Sequence, residues 1–486
     1  MKRKALTRIC ALCSVFMMSS FGACDVSGLL NQFGGSSTAG DSLQVESPVT
    51  SETPEESETP SSEAPETSDT PSSEVPESSE NPETSETPET PENPTPDNPS
   101  SSKYELSVTT TGEVFPYIEN VKKYLLAGEG AKVGDYHQAV SSQWAPVEIK
   151  WNWRGSRQDK FVVEYATKAD YSDALTVEAG GSKRSVEVYN LYKSTTYYVR
   201  ITALNSKGET LKTAEGSFYT TNLGPRFMRV DDVRNMRDLG GYTTNNGKTL
   251  VQGIAYRGGG LARPPKGGQN NEITDEGKAY MSEVMGIKTE IDFRTANESG
   301  ITLEQGSLIP GASLHYITIN GYDTTFNYDD EYLEFFTMLA DEDNYPVYMH
   351  CTGGADRTGS AVYLLHTMLG VSELECLQGY ELTSFSSYGL RDTQGNYKES
   401  YFDPFMAKLN SYAGNTKQEK VETWMHSIGV TQSQIDKIKS IFYGEISVNL
   451  VPGTGKSAET PVAQRKTVAK RYGEMVAAWT VQKKED

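Results

Sequence analysis

The chain has 486 residues, enough for two folded domains with cores of their own. Its formal charge of −21 comes from one segment: residues 41–100 hold 17 acidic and no basic side chains, the first forty residues sum to +3, and residues 101–486 carry −7. A nearly balanced remainder gives no sign of the basic face that nucleic-acid binding requires, so no nucleic-acid partner is expected.

Residues 1–23 read as an export signal, with Lys2, Arg3, Lys4 and Arg8 ahead of a short apolar run from Ile9 to Met18. That run is too short to span a bilayer. Phe21-Gly22-Ala23-Cys24 resembles a bacterial lipobox, which implies cleavage before Cys24, lipidation of its sulfur and attachment to the outer face of the cell membrane. An ordinary signal peptide cleaved near Ala23 is the alternative. Residues 24–103 are expected to be an unfolded stalk. Ser, Thr, Glu and Pro dominate it, prolines recur at 54, 60, 65, 71, 76, 82 and 88, and too few apolar groups are present to offset backbone ordering. Of the five cysteines, Cys10 and Cys13 leave with the signal and Cys24 is acylated, so Cys351 and Cys376 remain as thiols without a disulfide framework.

Residues 104–222 are expected to form an antiparallel β-sandwich. Val147, Ile149 and Trp151 alternate on one face, followed by Phe161, Val163 and Tyr165, then Val186, Val188 and the run from Tyr197 to Ala203. Leu191 to Tyr197 resembles the fibronectin type III turn, which makes Tyr197 the corner tyrosine and Trp151 or Trp153 the core tryptophan. Residues 112–145, with a short helical pattern over Val121 to Ala127, fit no part of that sandwich.

Residues 224–444 switch to an α/β pattern. Helices are expected over Gly277–Met285, Glu331–Leu339, Ala361–Leu369, Ser372–Leu382 and from Thr431 to Phe442, where Thr431 and Gln434 give a capping box. Strands are expected over Lys288–Phe293, Leu314–Ile319 and Tyr345–Met349. This alternation predicts a mostly parallel sheet with the site at its carboxyl edge. Residues 445–486 read as a tail with a weak helical pattern from Val462 to Val481. Gly453 to Ser457 imitates a nucleotide-binding loop but has Leu450 where the first glycine is required.

The chemistry concentrates in His350-Cys351-Thr352-Gly353-Gly354-Ala355-Asp356-Arg357-Thr358-Gly359. A strand, a glycine-rich turn and a helix start aim successive backbone N–H groups at one point, where the helix dipole favours negative charge. Arg357 adds a planar fork for phosphate oxygens. The same field favours a Cys351 thiolate, since helix N-termini and nearby cations bring thiol values to roughly 3.5–7.5. Thr352, Gly353, Gly354, Ala355 and Arg357 would hold the phosphate, with Cys351 as nucleophile. Thr358 would stabilise the sulfur as leaving group, and His350 would fix the loop from behind.

This segment resembles the phosphate loop of the protein tyrosine phosphatase superfamily, in particular its bacterial branch of atypical tyrosine/lipid phosphatases. Asn235-Met236-Arg237-Asp238-Leu239-Gly240-Gly241 and Ile291-Asp292-Phe293-Arg294-Thr295, followed by Glu298, are similar to two further signatures of that branch. The resemblance covers roughly Arg226 to Tyr443. It implies a cysteine-dependent phosphatase acting on phosphotyrosine or another phosphomonoester. The branch often has Lys where this chain has Ala355, which weakens a phosphoinositide or inositol phosphate reading.

A leaving alkoxide or phenoxide requires a proton donor. Asp356 is the first candidate, Asp292 the second and Asp323 a distant third. The alternative for Asp292 is a pair with Arg294 or Arg257. Arg257 either reaches substrate phosphate or stabilises the loop, and Asn235, Arg237 and Asp238 read as an internal polar brace. Cys376 reads as core packing. No cofactor is implied, and five histidines without a His-x-x-x-His spacing offer no metal ligand set. Two other classes compete: rhodanese-type sulfur transfer, disfavoured by Arg357-Thr358-Gly359, and a surface adhesion protein carrying a degenerate enzyme fold.

Overall fold

The computed structural model describes residues 103–137, 142–156, 158–266, 269–395 and 398–448. The export signal, Cys24, the stalk, the run at 453–457 and the helical pattern at 462–481 lie outside these residues.

The N-terminal half contains strands β1 (Glu105–Val108), β2 (Glu113–Val114), β3 (Val147–Arg154), β4 (Lys160–Ala166), β5 (Leu175–Gly180), β6 (Ser185–Val188), β7 (Thr196–Leu204) and β8 (Thr210–Thr220). They form two sheets, β1-β3-β6 and β2-β8-β7-β4-β5. The strand alternation decides which side chains face inward. Val147, Ile149 and Trp151 from one sheet meet Phe161, Val163, Tyr197, Val199 and Ile201 from the other in one core. Trp151 is the fully buried tryptophan, while Trp153 packs at the edge of that core. The Tyr197 hydroxyl accepts a hydrogen bond from the Tyr192 amide at 2.8 Å, closing the corner turn.

Between β2 and β3 lie helices α1 (Glu119–Ala127) and α2 (Val133–Tyr136). Their apolar side chains do not join the sandwich core. Tyr117, Val121, Tyr124, Leu125 and Val133 cluster instead with Phe227, Leu382 and Phe385 of the following α/β part. This explains why residues 112–145 fit no sandwich pattern.

The α/β part contains β9 (Arg237–Asp238), β10 (Ala255–Gly258), β11 (Ala262–Lys266), β12 (Gln269–Glu272), α3 (Asp275–Ala279), β13 (Thr289–Asp292), α4 (Ala296–Ser299), β14 (Ser313–Tyr316), α5 (Asp329–Leu339), β15 (Val347–His350), α6 (Arg357–Met368), α7 (Glu373–Glu381), α8 (Asp403–Asn410), α9 (Lys417–Ser427) and α10 (Gln432–Phe442). Its main sheet has the order β14-β13-β15-β10-β9. The first four strands are mutually parallel and β9 is antiparallel to β10. Every residue of β13, β15 and β10 is buried, as expected of parallel strands covered on both faces. The expected capping box of the last helix is present, with Thr431 and Gln434 in reciprocal bonds. Two helix limits differ from expectation. The helix after the glycine-rich turn starts at Arg357 rather than Ala361, because the end of the turn itself supplies its first residues. The helix expected over Gly277–Met285 starts at Asp275 behind a Thr274 cap and continues as a wider π-type turn over Tyr280–Val284.

The sandwich and the α/β part belong to one compact unit. The corner turn provides much of the joint. Asn190, in the left-handed region at φ 58°, accepts from the Arg229 amide at 2.6 Å and donates to the Tyr280 hydroxyl at 2.7 Å. Arg226 donates to the carbonyls of Leu191 (3.1 Å) and Asn190 (2.6 Å), and its other arm pairs with buried Asp238 at 3.0 Å.

Candidate active site

Register places Asp292 of β13, His350 of β15 and Gly258 of β10 side by side at the carboxyl edge of the sheet. The chain then turns through Cys351–Asp356 into α6. Cys351 is 5% exposed, Gly353, Gly354 and Ala355 are buried, and Thr352 is exposed. Among the described residues, none of the backbone amides from Thr352 to Arg357 donates to another protein group. The carbonyls, by contrast, are engaged from behind. Asn235 Nδ2 donates to Gly353 O at 3.0 Å and Gly354 O at 3.3 Å, Arg257 donates to Gly354 O at 2.6 Å, and the Gly260 amide donates to Thr352 O at 3.1 Å. Turning the carbonyls back leaves the N–H groups free to face an anion. Gly354 is required for this turn, since its φ is +60° and a β-carbon there would lie 2.1 Å from Gly258 O.

The braces are themselves held. Asn235, also left-handed at φ 56°, accepts at Oδ1 from Arg237 (3.1 Å) and from Gln143 (2.9 Å). Gln143 is 2% exposed and also donates to Leu382 O at 2.6 Å. The Asn-x-Arg-Asp signature therefore works as a brace: Asn235 and Arg237 support the loop, and Asp238 joins the loop support to the sandwich through Arg226. Arg257 lies behind the loop and bonds its backbone, the contact that the loop-stabilising alternative calls for.

Below the cysteine, His350 Nε2 lies 2.8 Å from Glu290 Oε1, and Nδ1 lies 3.7 Å from Asp292 Oδ1. Burial opposes a charged imidazole, but the Asp292 and Glu290 carboxylates outweigh it and raise the His350 pKa. Asp292 is 1% exposed and engaged by Arg294, which donates at 2.9 Å and 3.1 Å through Nε, at 2.7 Å through Nη2 and at 3.0 Å through its backbone amide. This is the structural pairing of Asp292 with Arg294. Glu290 was not singled out from the sequence, although it lies two residues before Asp292 and so on the same face of the strand.

Arg357 makes a two-pronged ion pair with Glu298, at 2.7 Å and 3.0 Å. The hydrogen bond from Arg357 is the main cause holding the Glu298 carboxyl down at about 2. Glu298 is at the same time the third helical residue of α4, in a capping box with Thr295. Thr358 is fully buried, and its hydroxyl has no hydrogen-bond partner among the described residues. Cys376 packs in α7 near Thr367 and Val371, with burial pushing its thiol up to about 12.

Asp356 is engaged more fully than its sequence position suggests. Arg391 donates to its two oxygens at 2.6 Å and 3.0 Å, and the Tyr322 hydroxyl donates to Oδ1. Arg391 also donates to the carbonyls of Tyr388 and Gly389 at 2.9 Å and 3.2 Å, fixing the loop whose Tyr388 ring lies against Gly353. Tyr322 in turn packs against Tyr401, with ring centroids 4.6 Å apart. Asp323, next in sequence, is exposed. Arg391, Tyr322 and Tyr388 lie more than thirty residues from Asp356 in sequence and belong to no motif, so nothing local pointed to them.

Residues 228–444 match the model of the tyrosine phosphatase family, and residues 133–218 match that of the fibronectin type III domain. The chain carries a tyrosine phosphatase family domain. The "Putative tyrosine-protein phosphatase" of Cupriavidus necator is 25% identical to the chain over 32% of its length and 63% of the relative's. The chain thus spans somewhat under two thirds of that curated relative. A solved structure, the core catalytic domain of the PP-IP phosphatase SIW14 from S. cerevisiae in complex with citrate, aligns at 13% identity over 37% of this chain and 92% of that one, with a TM-score of 0.21. Within the tyrosine phosphatase family domain, the loop, Arg357, Asp356 and the braces Asn235, Arg237 and Arg257 all lie inside the matched residues. Gln143 and helices α1 and α2 lie outside them and still pack on this domain.

Proposed function

We propose that this protein is a cysteine-dependent phosphatase for phosphotyrosine or related aryl phosphomonoesters, acting through a cysteinyl-phosphate. The observation that carries the reading is the run of undonated amides from Thr352 to Arg357 closing around buried Cys351, with the carbonyls drawn back by Asn235 and Arg257. A phosphate there lies in line with the sulfur. Attack forms the S–P bond and releases the ester oxygen, and water then hydrolyses the intermediate. The amides and Arg357 meet the charge on the equatorial oxygens, and the unpartnered Thr358 hydroxyl is available to the departing sulfur.

Asp356 is the proton-transfer residue of this scheme. Its grip by Arg391 and Tyr322 sets its position at the loop mouth. A carboxylate held this way suits acceptance of a proton from the attacking water. Donation to the leaving group requires Arg391 to release it. The aromatic residues beside the loop, Tyr322, Tyr388 and Tyr401, favour an aryl ester. Ala355 brings no charge, and Arg391 is committed to Asp356, so the inositol phosphate alternative has less support. We place the enzyme outside the cell on a lipid at Cys24, on the strength of the N-terminal pattern.

A phosphate-release panel over phosphotyrosine and phosphoserine peptides, phosphoinositides and inositol phosphates, with and without vanadate, tests the activity. Vanadate-sensitive release confined to phosphotyrosine is expected, and preference for an inositol phosphate would overturn the substrate assignment. Intact mass of the N-terminal peptide after export tests the anchor, where an unmodified Cys24 thiol or a different terminus rules it out.

A further inference from the structure

Among the described residues, three cations around the loop each have a carboxylate of their own. Arg294 is paired with Asp292, Arg357 with Glu298, and His350 with Glu290. On the loop itself, Asp356 is paired with Arg391. Arg257, 2% exposed, has no carboxylate partner among the described residues, and its acceptors are the carbonyls of Gly354, Ala355 and Gly379. Directly across the strand pair stands Arg237, 1% exposed, which also has only neutral acceptors: Gly379 O, Asn235 and Thr383. Two like charges opposite one another in a sheet are destabilising, more so when buried. The small cavity lined by both side chains offers no relief. His366 is held neutral, pulled down to about 3 by burial, Cys376 is an un-ionised thiol, and Asp238 belongs to Arg226. Burial lowers Arg257 to about 10, and the largest opposing influence is Cys351.

We propose that Arg257, backed by Arg237, is a buried cationic floor under the phosphate loop whose counter-charge comes from the active site, as the substrate dianion on binding. The two are positioning residues that act through the field and the loop carbonyls without touching substrate. Charge left uncompensated inside the domain then becomes affinity for an oxyanion. The cost is an empty site that is less stable than an occupied one.

This inference rests on the phosphatase reading, and inorganic phosphate as a competitive inhibitor and thermal stabiliser of the full chain separates the two. Arg257→Gln should weaken phosphate inhibition roughly tenfold to a hundredfold, the scale of one nearby opposite charge. It should slow iodoacetamide inactivation at neutral pH and reduce the melting-temperature rise that phosphate produces. Arg257→Lys keeps the charge but not the fork and should stay within about threefold of wild type in phosphate affinity. Arg237→Gln, one layer further back, should shift all three readouts in the same direction by less. If Arg257→Lys loses as much affinity as Arg257→Gln, or if Arg257→Gln binds phosphate like wild type, the residues are hydrogen-bonding struts and the proposal falls. Should Arg257→Gln not fold, the Lys and Arg237 variants decide the matter. Wild type that neither binds phosphate nor releases it from any ester would defeat the phosphatase reading instead.

Discussion

Gln143 donates a 2.9 Å hydrogen bond to Asn235, and Asn235 holds the carbonyls of Gly353 and Gly354. A residue 85 positions before the start of the matched catalytic domain thus stands two hydrogen bonds from the phosphate loop. Gln143→Leu should cost about 1–3 kcal/mol of stability, the penalty for leaving buried polar groups unpaired. It should also lower kcat more than it raises KM, because the amides lose their alignment while Arg357 remains. Denaturant unfolding combined with steady-state kinetics tests this, and unchanged kcat in a folded variant would show that Asn235 needs no outside support.

The covalent step is checked at Cys351. Cys351→Ser should release no phosphate in a single turnover yet still bind phosphotyrosine peptide, since the amides and Arg357 remain. Phosphate release at the wild-type rate would exclude the cysteinyl intermediate.

Asp356 and Arg391 should separate by leaving group. Asp356→Asn should slow esters with poor leaving groups by about 10²–10⁴-fold and an activated aryl phosphate much less. Arg391→Gln should remove the grip on the Asp356 carboxyl and affect esters with poor leaving groups more than the activated aryl phosphate. Asp292→Asn should reduce stability and slow both ester classes alike. A leaving-group-dependent defect absent from Asp356→Asn would direct attention to exposed Asp323.

The His350 network gives a pH dependence of stability with a definite sign. The folded pKa is raised above the ordinary value of about 6.5. Its contribution is therefore fully present below about pH 6.5 and is lost as pH rises through the folded value. The destabilisation caused by His350→Asn should be larger at pH 6 than at pH 9. Melting temperatures of both proteins across that range measure it, and a pH-independent difference would mean that the imidazole is neutral in the fold.

The sequence revealed the glycine-rich loop after Cys351, the sandwich faces and the helix caps because each is encoded within a few residues. Period-two alternation placed Trp151 and Phe161 in one core, and Thr431 with Gln434 marked a helix start. What escaped it was partnership over distance. Arg391 meets Asp356 across 35 residues and Gln143 meets Asn235 across 92, and no local pattern distinguishes those side chains from ordinary loop polar groups. Asp292 shows the same limit. Its place at a strand end fits both a catalytic acid and a structural anion, and its four hydrogen bonds from Arg294 could not be read from the sequence.

The corner turn of the sandwich has a consequence for modularity. Asn190 and Lys193 reach into the catalytic half, Lys193 donating to Gly224 O at 2.6 Å and pairing its backbone with Gln252 at 2.9 Å and 3.1 Å. Arg226 answers from the other side, with Asp238 fully buried behind it. A fibronectin type III domain of another chain could copy every core residue of this one and still be a poor substitute. It would leave Asp238 and Arg226 without their surroundings, and breaking such a buried pair costs about 3–5 kcal/mol. The sandwich is therefore not an exchangeable bead on a string. Recombination that shuffled it freely would lose the enzyme with it, and the two halves are expected to be inherited together.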